Sequence, residues 1–321
     1  DSIFLPKGRL APSPTGALHL GNARSFLLAW LDVRSRGGQL LLRMEDLDGP
    51  RVKPGAADLA IHDLEWLGLD WDEGPVYQQP RISTYRSALN ELIRLGLAYP
   101  CVCTRKDVMQ ACSAPHQGEE GSIYPGTCRG RWSGDKQARA ETGKALSWRF
   151  AIPPNSKIQF RDRFHGECGL EMDRHFGDFV IWKKDDEPAY QLAVAVDDAH
   201  QEVNTILRGD DLLSSAGRQI LIFRALGLPE PEFAHVPLVV GEDGRRLAKR
   251  HGDTTIRKFR EEGFSSADVL TWLSKSLGLS KNGHCEIPRR VQHPRELLDA
   301  FDLHKISREV AIWDGKMENH S

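Results

Sequence analysis

Residues 9–30, RLAPSPTGALHLGNARSFLLAW, constrain the fold of this chain most strongly. A short apolar stretch leads through a loop with Pro12, Pro14 and Gly16 into an apolar segment over residues 18–36. Proline stiffens such a loop, and glycine lets a ligand approach the backbone. In an open α/β sheet, ligands bind where a strand ends and the next helix begins, because helix N–H groups and the helix dipole attract phosphate. The stretch therefore predicts a strand, a nucleotide-binding loop and a helix that offers free N–H groups.

The pattern continues as strands alternating with helices. Residues 37–46 (GGQLLLRMED) predict a buried strand, and residues 56–67 and 82–97 have helical apolar spacing. Residues 189–198 (AYQLAVAVDD) predict another strand, followed by a strand that ends at Arg208 and a helix that begins near Ser214. Such alternation predicts an α/β fold with a doubly wound parallel sheet.

The alternation breaks after Tyr99 and resumes near residue 185, and the tail from Ile256 has helical spacing. We read the interruption as an inserted α+β domain. The predicted division is residues 1–98 and 185–252 for the two halves of the catalytic domain, 99–184 for the insertion and 253–321 for a helical segment.

Composition narrows the class of protein. A chain of 321 residues predicts two or three domains, and a net charge of −2 argues against a broad basic surface that coats nucleic acid. The chain has no apolar run long enough for a membrane helix, no export signal at its start, and six cysteines, too few for a disulfide scaffold. We therefore expect a cytoplasmic protein without a membrane partner, and nothing in the sequence demands a dimer, so we expect a monomer.

His19 and Lys249 are the candidate phosphate contacts. His19 begins the predicted helix, with Gly21 and Asn22 beside it, and Lys249 lies in the polar segment RRLAKR. A lysine in such a loop can stabilise charge as pyrophosphate leaves ATP. The pattern is neither the P-loop nor the dinucleotide fingerprint. The ordinary alternatives are a histidine in a turn and a solvated basic loop.

Longer blocks carry a family resemblance. HLGN and LAKR resemble the two signatures of class I aminoacyl-tRNA synthetases, and RLAPSPTGALHLGNAR, LLLRMEDLD, YQLAVAVDD and ILRGDDLLSSAGRQI resemble the glutamyl branch in family order. The resemblance implies a Rossmann-type catalytic domain, ATP with Mg²⁺ as substrate, ATP binding by His19, Gly21, Asn22 and Lys249, and catalysis by His19 and Lys249.

The sequence departs from both signatures. Leu20 and Asn22 replace isoleucine and histidine, and Arg246, Ala248 and Arg250 replace lysine, serine and serine. Because Lys249 is retained, we expect activity.

The resemblance also implies a pocket for L-glutamate. It comprises Arg9, Ala11, Ser13, Glu45, Tyr190 and Arg208. Arg208 suits the side-chain carboxylate and Glu45 the ammonium, while Tyr190 and Ser13 supply neutral hydrogen bonds. Glutamine-specific relatives lack an arginine at position 208, so the sequence favours glutamate. The ordinary alternative is an ion pair of Arg208 with Asp210 or Asp211.

Four cysteines, Cys101, Cys103, Cys112 and Cys128, lie in the irregular region. Two thiolates at i and i+2 with a later third suit structural Zn²⁺, and Cys112, His116 and Tyr124 are open as the fourth ligand. The family pattern C-x-C…Y-x-x-x-C implies Cys101, Cys103, Tyr124 and Cys128. The alternative is a metal-free insertion with reduced cysteines, and Cys168 and Cys285 read as ordinary thiols.

The region after Lys249 is too short for the anticodon-reading region of a full glutamyl-tRNA synthetase. This arrangement resembles the glutamyl-queuosine tRNA(Asp) synthetases, in which glutamate is attached to queuosine in the anticodon stem-loop of tRNA(Asp). The alternatives are a glutamyl-tRNA synthetase that charges tRNA(Glu) and a catalytically degenerate sensor of glutamate or a nucleotide.

Overall fold

A computed structural model describes residues 5–47, 49–111, 123–247, 251–279 and 288–318. The first half of the chain forms parallel strands joined by helices, as predicted, with three strands in the order β1-β2-β3. The elements are β1 (Lys7–Leu10), α1 (Leu20–Arg34), β2 (Gln39–Met44), α2 (Ala56–Trp66), β3 (Glu73–Tyr77) and α3 (Ile82–Arg94).

The predicted insertion contains one small sheet and a hairpin. Three strands pair antiparallel in the order β4-β5-β8, and β6 and β7 form an antiparallel hairpin. The elements are β4 (Ala98–Cys101), α4 (Arg105–Ala111), α5 (Asp135–Thr142), β5 (Ser147–Phe150), β6 (Lys157–Asp162), β7 (Gly166–Glu171), α6 (Met172–His175) and β8 (Phe179–Trp182).

The second half of the chain contributes to a four-stranded sheet, in the order β7-β6-β10-β9, that lies beside β1. Strand β10 pairs parallel with β9 and, at Phe233–Asp162, with β6, so the hairpin extends the sheet. The two halves meet where Asn204 and Lys7 exchange hydrogen bonds, at 3.0 Å and 2.8 Å. The elements are α7 (Tyr190–His200), β9 (Thr205–Gly209), α8 (Leu213–Ala225), β10 (Glu232–Val236) and β11 (Val239–Gly241).

The strand predicted over residues 189–198 is wrong, because this segment is helix α7. Alternation of Leu192, Val194 and Val196 suggested a strand, yet the alanines between them are equally buried. The helix packs against α3 and α8. Burial on nearly all sides removes the polar face that would have revealed a helical period, and tertiary packing outweighs the strand propensity of valine.

The tail is only partly helical. It contains α9 (Ile256–Glu261) and α10 (Ser266–Ser276), but residues 294–305 form short turns rather than the predicted helix, and β12 (Ala311–Trp313) pairs with β11. Pro294 begins the first of these turns, which is a 3₁₀ helix of four residues.

Helices cover both faces of the parallel sheet. One apolar core joins α1, α2, α9 and α10 to it, and the other joins α3, α7 and α8. Leu40 and Leu42 face the first core and Leu41 faces the second, as expected for a central strand. This arrangement confirms the predicted α/β fold with helices on both faces, but the sheet that contains β9 and β10 is mixed rather than wholly parallel, because β7 pairs antiparallel with β6. No helix in the described ranges is long and apolar enough to span a membrane.

Candidate active site

His19 ends the first loop and caps helix α1. Its Nδ1 accepts the backbone N–H groups of Gly21 at 3.0 Å and Asn22 at 3.4 Å. The Asn22 side chain in turn accepts the His19 N–H at 3.1 Å, which completes a capping box. A Cβ at position 21 would lie 2.8 Å from the imidazole, so the ring itself explains the glycine.

The prediction that α1 offers free N–H groups is therefore wrong. The N–H of Leu20 donates to the Thr254 carbonyl, and that of Ala23 to the His19 carbonyl, both at 3.0 Å. Because Nδ1 of His19 accepts, a neutral ring carries its proton on Nε2 and can donate there. Burial, followed by the charge of Arg246, lowers the pKa of His19, so the imidazole is neutral at pH 7.

The loop that carries Lys249 is anchored beside His19 on its C-terminal side. His19 and Thr255 form an antiparallel bridge. On the N-terminal side of the loop, Arg246 pairs with Asp211 at 2.7 Å. Lys249 itself lies outside the described residues. The described flanks of the second signature therefore lie next to the first.

A buried ion-pair cluster forms one wall of the cleft. Oδ1 of Asp198 lies 2.9 Å from Nε of Arg9 and 2.9 Å from Nη1 of Arg43. Arg43 also contacts Glu45 at 3.1 Å and Gln201 at 2.9 Å. Burial raises the pKa of Glu45, although Arg43 and Arg9 oppose this shift. Two cations and two carboxylates thus balance one another in this wall.

Arg208 is buried differently. It is 6% exposed at the end of β9. Its Nε donates to Nε2 of His235 at 2.9 Å, and its Nη1 donates to Oε1 of Gln219 at 2.9 Å. The carbonyl of Leu212 accepts from Nη2 at 3.4 Å. Every one of these partners is an acceptor without a full charge.

The ion pair considered as the ordinary explanation for Arg208 is not formed. Asp211 pairs with Arg246 instead, and Asp210 makes no ion pair with Arg208. Among the described residues, no carboxylate forms an ion pair with Arg208. Burial lowers the pKa of this guanidinium, as expected for a cation taken from water without a counterion.

Four of the predicted glutamate contacts act on one another electrostatically. The charges of Arg208, Glu45 and Arg9 all influence Tyr190, whose pKa is raised chiefly by burial. Tyr190 begins α7 and is 40% exposed, so its side chain is accessible to a ligand. These four side chains are therefore near enough to one another for their charges to interact.

The predicted loop contacts lie beside the same cleft. Ala11 is half-buried and Ser13 is exposed. The N–H of Glu45 donates to the carbonyl of Pro12 at 3.0 Å, which joins the loop to the end of β2. This bond places Ala11 and Ser13 on either side of a residue that touches the Glu45 backbone.

Three cysteines and a tyrosine converge in the insertion. Thiol sulfurs of Cys101, Cys103 and Cys128 lie within 4.8 Å of one another. The hydroxyl of Tyr124 lies 3.5 Å from the Cys101 sulfur and 3.7 Å from that of Cys103. Zn–S bonds of about 2.3 Å in a tetrahedron need sulfurs about 3.8 Å apart, so these donors fit zinc. The alternative ligands Cys112 and His116 lie outside the described residues.

A cation supports the sulfur cluster. Nε of Arg149 donates to the Cys101 sulfur at 3.2 Å, and its guanidinium lies 3.7 Å from the centre of the Tyr124 ring. Burial opposes ionisation of Cys101, but its hydrogen bonds with Tyr124 and Arg149 outweigh the effect of burial and lower its pKa. The apolar core around the cluster is small, so a metal would add stability that packing does not supply.

Sequence reasoning missed four polar residues of the cleft, namely Arg43, Asp198, His235 and Gln219. Asp198 lies about two turns after Tyr190 in α7. A correct helix assignment would therefore have placed the two side chains near the same face. Arg43 lies in a segment that the sequence predicted to be a buried strand, and no role was assigned to it. His235 lies outside the blocks that carry the family resemblance, whereas Gln219 lies within ILRGDDLLSSAGRQI but was assigned no role.

Comparison with known proteins identifies the class. The family described as tRNA synthetases class I (E and Q), catalytic domain, matches residues 7–315, and the chain belongs to this family. A glutamyl-Q tRNA(Asp) synthetase from Rhodopirellula baltica is 44% identical over 319 residues, which cover 95% of this chain and 96% of that protein. Another from Symbiobacterium thermophilum is 48% identical over 311 residues, with 94% of each chain covered.

A solved structure shares the fold. The glutamate tRNA ligase of Elizabethkingia meningosepticum, in complex with its amino acid, superimposes with a TM-score of 0.81 at 26% identity. The match covers 97% of this chain and 68% of that chain. The class I synthetase fold implied by the sequence resemblance is thereby confirmed.

Proposed function

We propose that this protein is a ligase that activates L-glutamate with ATP and transfers it to the queuosine base of tRNA(Asp). One structural observation carries the choice of amino acid: Arg208 is a buried cation held only by neutral groups, next to Tyr190, Arg9 and Glu45. The near-full-length relatives named glutamyl-Q tRNA(Asp) synthetase support the choice of RNA.

In the first step, the α-carboxylate of glutamate attacks the α-phosphate of ATP, giving glutamyl-adenylate and pyrophosphate. His19 donates from Nε2 to a phosphate oxygen, and Lys249 stabilises the charge that develops on the departing pyrophosphate. Gly21 and Asn22 keep the imidazole in this orientation through its Nδ1. Mg²⁺ accompanies ATP and neutralises part of the triphosphate charge.

The pocket binds glutamate through charge. Arg208 contacts the side-chain carboxylate, Glu45 contacts the ammonium, and Tyr190, Arg9, Ala11 and Ser13 complete the walls. Because the wall formed by Arg9, Arg43, Asp198 and Glu45 is already balanced, the charge of Arg208 is available to the substrate. Glutamine would leave that cation without a counterion, which costs several kcal/mol in a dry pocket.

In the second step, a hydroxyl of the queuosine cyclopentene ring attacks the activated carbonyl and releases AMP. The near-neutral net charge suits contact with a small anticodon stem-loop.

We propose that residues 1–98 and 185–252 form the catalytic domain, 99–184 the insertion and 253–321 a stem-contacting segment. We further propose that the enzyme is a monomer. We also propose that it is cytoplasmic, since both ATP and tRNA are found in the cytoplasm.

We also propose that Zn²⁺ has a structural role, held by Cys101, Cys103, Tyr124 and Cys128. The donor set and its spacing support this assignment. The site lies in the insertion and takes no part in the chemical steps above.

ATP–pyrophosphate exchange with glutamate and without RNA tests the first step. Exchange that depends on glutamate and not on glutamine is expected, and its absence would favour the degenerate sensor. Transfer of labelled glutamate then separates the two RNA substrates. Label should attach to tRNA(Asp) that carries queuosine, and stable attachment to tRNA(Glu) alone would show that the protein is a glutamyl-tRNA synthetase.

A further inference from the structure

A buried polar relay crosses three strands behind the glutamate pocket. Oδ2 of Asp162, at the end of β6, lies 2.6 Å from Nδ1 of His235 on β10. Nε2 of His235 lies 2.9 Å from Nε of Arg208 on β9. Asp162 and His235 are 1% and 0% exposed. The predicted insertion thus supplies the first member of a relay that ends at Arg208.

The relay defines the tautomer of His235. A carboxylate only accepts, so Nδ1 of the ring carries the proton that bonds to Asp162. Guanidinium Nε–H only donates, so Nε2 of the ring accepts from Arg208. An imidazolium would place a donor against a donor at Arg208. Burial lowers the pKa of His235 to about 4, despite the hydrogen bond to Asp162, which agrees with a neutral ring.

Both carboxylate oxygens of Asp162 accept hydrogen bonds from groups other than Arg208. Its Oδ1 accepts the N–H groups of Phe164 and His165, both at 2.9 Å. Its Oδ2 accepts the backbone N–H of His235 at 3.1 Å besides the ring. The imidazole separates this carboxylate from Arg208, so the aspartate orients the ring without forming an ion pair with the arginine.

The remaining partners of Arg208 follow the same principle. Gln219 accepts from Arg208 through Oε1, and its own amide donates to Gln191 at 3.1 Å. Gln191 donates in turn to the hydroxyl of Ser215 at 2.9 Å. The guanidinium is therefore fixed on several sides by neutral acceptors, whereas Arg9 contacts a carboxylate directly.

We propose that Asp162 and His235 are positioning residues that set the selectivity for glutamate over glutamine by orienting Arg208 without neutralising it. The substrate carboxylate is then the counterion that the buried guanidinium lacks. This inference rests on the proposed function, because it explains how the same pocket selects its amino acid.

Asp162→Asn tests the relay with a nearly isosteric change. The oxygen of the new amide can accept from the N–H groups of Phe164 and His165 only if its NH₂ group faces Nδ1 of His235. The ring then changes tautomer and presents N–H to Arg208, which turns away. The glutamate KM in pyrophosphate exchange should rise at least about tenfold, as expected for a displaced charge-assisted hydrogen bond, while the ATP KM changes less than about twofold. The glutamate-to-glutamine ratio of kcat/KM should fall at least about tenfold.

His235 variants provide the companion test. His235→Leu removes the acceptor and should raise the glutamate KM as Asp162→Asn does, whereas His235→Gln restores a neutral acceptor and should recover most of the affinity. Ile206→Val on β9 is the matched control, since Ile206 is fully buried and apolar; it should lower thermal stability without changing selectivity. Nitrogen-15 spectra of histidine-labelled protein should show the His235 proton on Nδ1 in the wild type and on Nε2 in Asp162→Asn.

Two results would separate the possible failures. Wild-type protein without glutamate-dependent exchange would overturn the proposed function. A wild type that exchanges, with unchanged glutamate KM and selectivity in both Asp162→Asn and His235→Leu, would overturn the relay alone.

Discussion

Arg9 of β1 and Asp198 of α7 form a buried ion pair, with Nε and Oδ1 2.9 Å apart. The same oxygen also binds Arg43, so one carboxylate joins the first two strands of the sheet to a helix almost 190 residues later in the chain. This carboxylate therefore joins the first part of the chain to the second at the buried ion-pair cluster.

Asp198→Asn should strongly destabilise the fold. The amide cannot balance Arg9 and Arg43, and removing one partner of a buried ion pair costs about 3–5 kcal/mol. Urea unfolding measures the loss. Glu91→Gln, in an exposed pair with Arg94, is the control and should leave the midpoint unchanged. Equal midpoints for wild type and Asp198→Asn would show that the cluster does not hold the halves together.

His19→Asn should keep the cap of helix α1 but lose catalytic activity. Asparagine caps helices well, so stability should be kept, but it lacks the donor at Nε2. Pyrophosphate exchange should therefore fall about 100-fold, as when one transition-state donor is removed. His19→Ala should lose the same activity and, in addition, about 1 kcal/mol of stability on thermal unfolding. Normal exchange by the asparagine variant would remove His19 from the chemical step.

Lys249→Ala should reduce pyrophosphate exchange about 100-fold or more and leave the unfolding curve unchanged, because the lysine is expected to act on the departing pyrophosphate. Arg245→Ala is the control, since Arg245 is exposed in the same segment and matches neither signature. Equal exchange rates for the two variants would exclude a specific role for Lys249.

Purified protein should contain about one zinc per chain by elemental analysis. Cys128→Ser should lose the metal and unfold at lower temperature, because the small core of the insertion depends on it. Cys168→Ser, outside the cluster, should keep both metal and stability. Zinc analysis of the variants Tyr124→Phe, Cys112→Ser and His116→Ala identifies the fourth ligand, because only the variant that removes this ligand should lose the metal. Zinc retained in Tyr124→Phe would reject the tyrosine.

Acid should destabilise the wild type more than His235→Gln. The pKa of His235 is about 4 in the folded protein and 6.5 in an exposed imidazole. Between these values the unfolded chain binds more protons, so stability falls as the pH is lowered through this range. Between pH 7 and pH 5, the stability difference should shift by about 2 kcal/mol in favour of the variant, measured by urea unfolding at each pH. A difference independent of pH would mean that His235 titrates alike in both states.

The sequence predicted the parts of the site that lie in local patterns. The loop before His19 and the pair Cys101 and Cys103 each lie within one contiguous segment, so the spacing of their residues predicts that these residues lie close together. Arg208 was placed at the end of its strand for the same reason, and the structure confirms that strand.

The rest depends on contacts that local patterns do not encode. Helix α7 is buried on nearly all sides, so its period was invisible in the sequence. The N–H of Leu20 is satisfied by Thr254, a residue more than 230 positions away. Asp162 reaches His235 only because the β6–β7 hairpin pairs with β10 at Phe233.

That hairpin limits how the protein can be shortened. Excising the whole stretch from β4 to β8 to obtain a minimal catalytic core would strip a neighbour from β10 and leave the imidazole of His235 without its anchor. A trimmed enzyme would have to retain residues 157–171, so the sheet that carries Cys101 and the hairpin should differ in their tolerance to deletion.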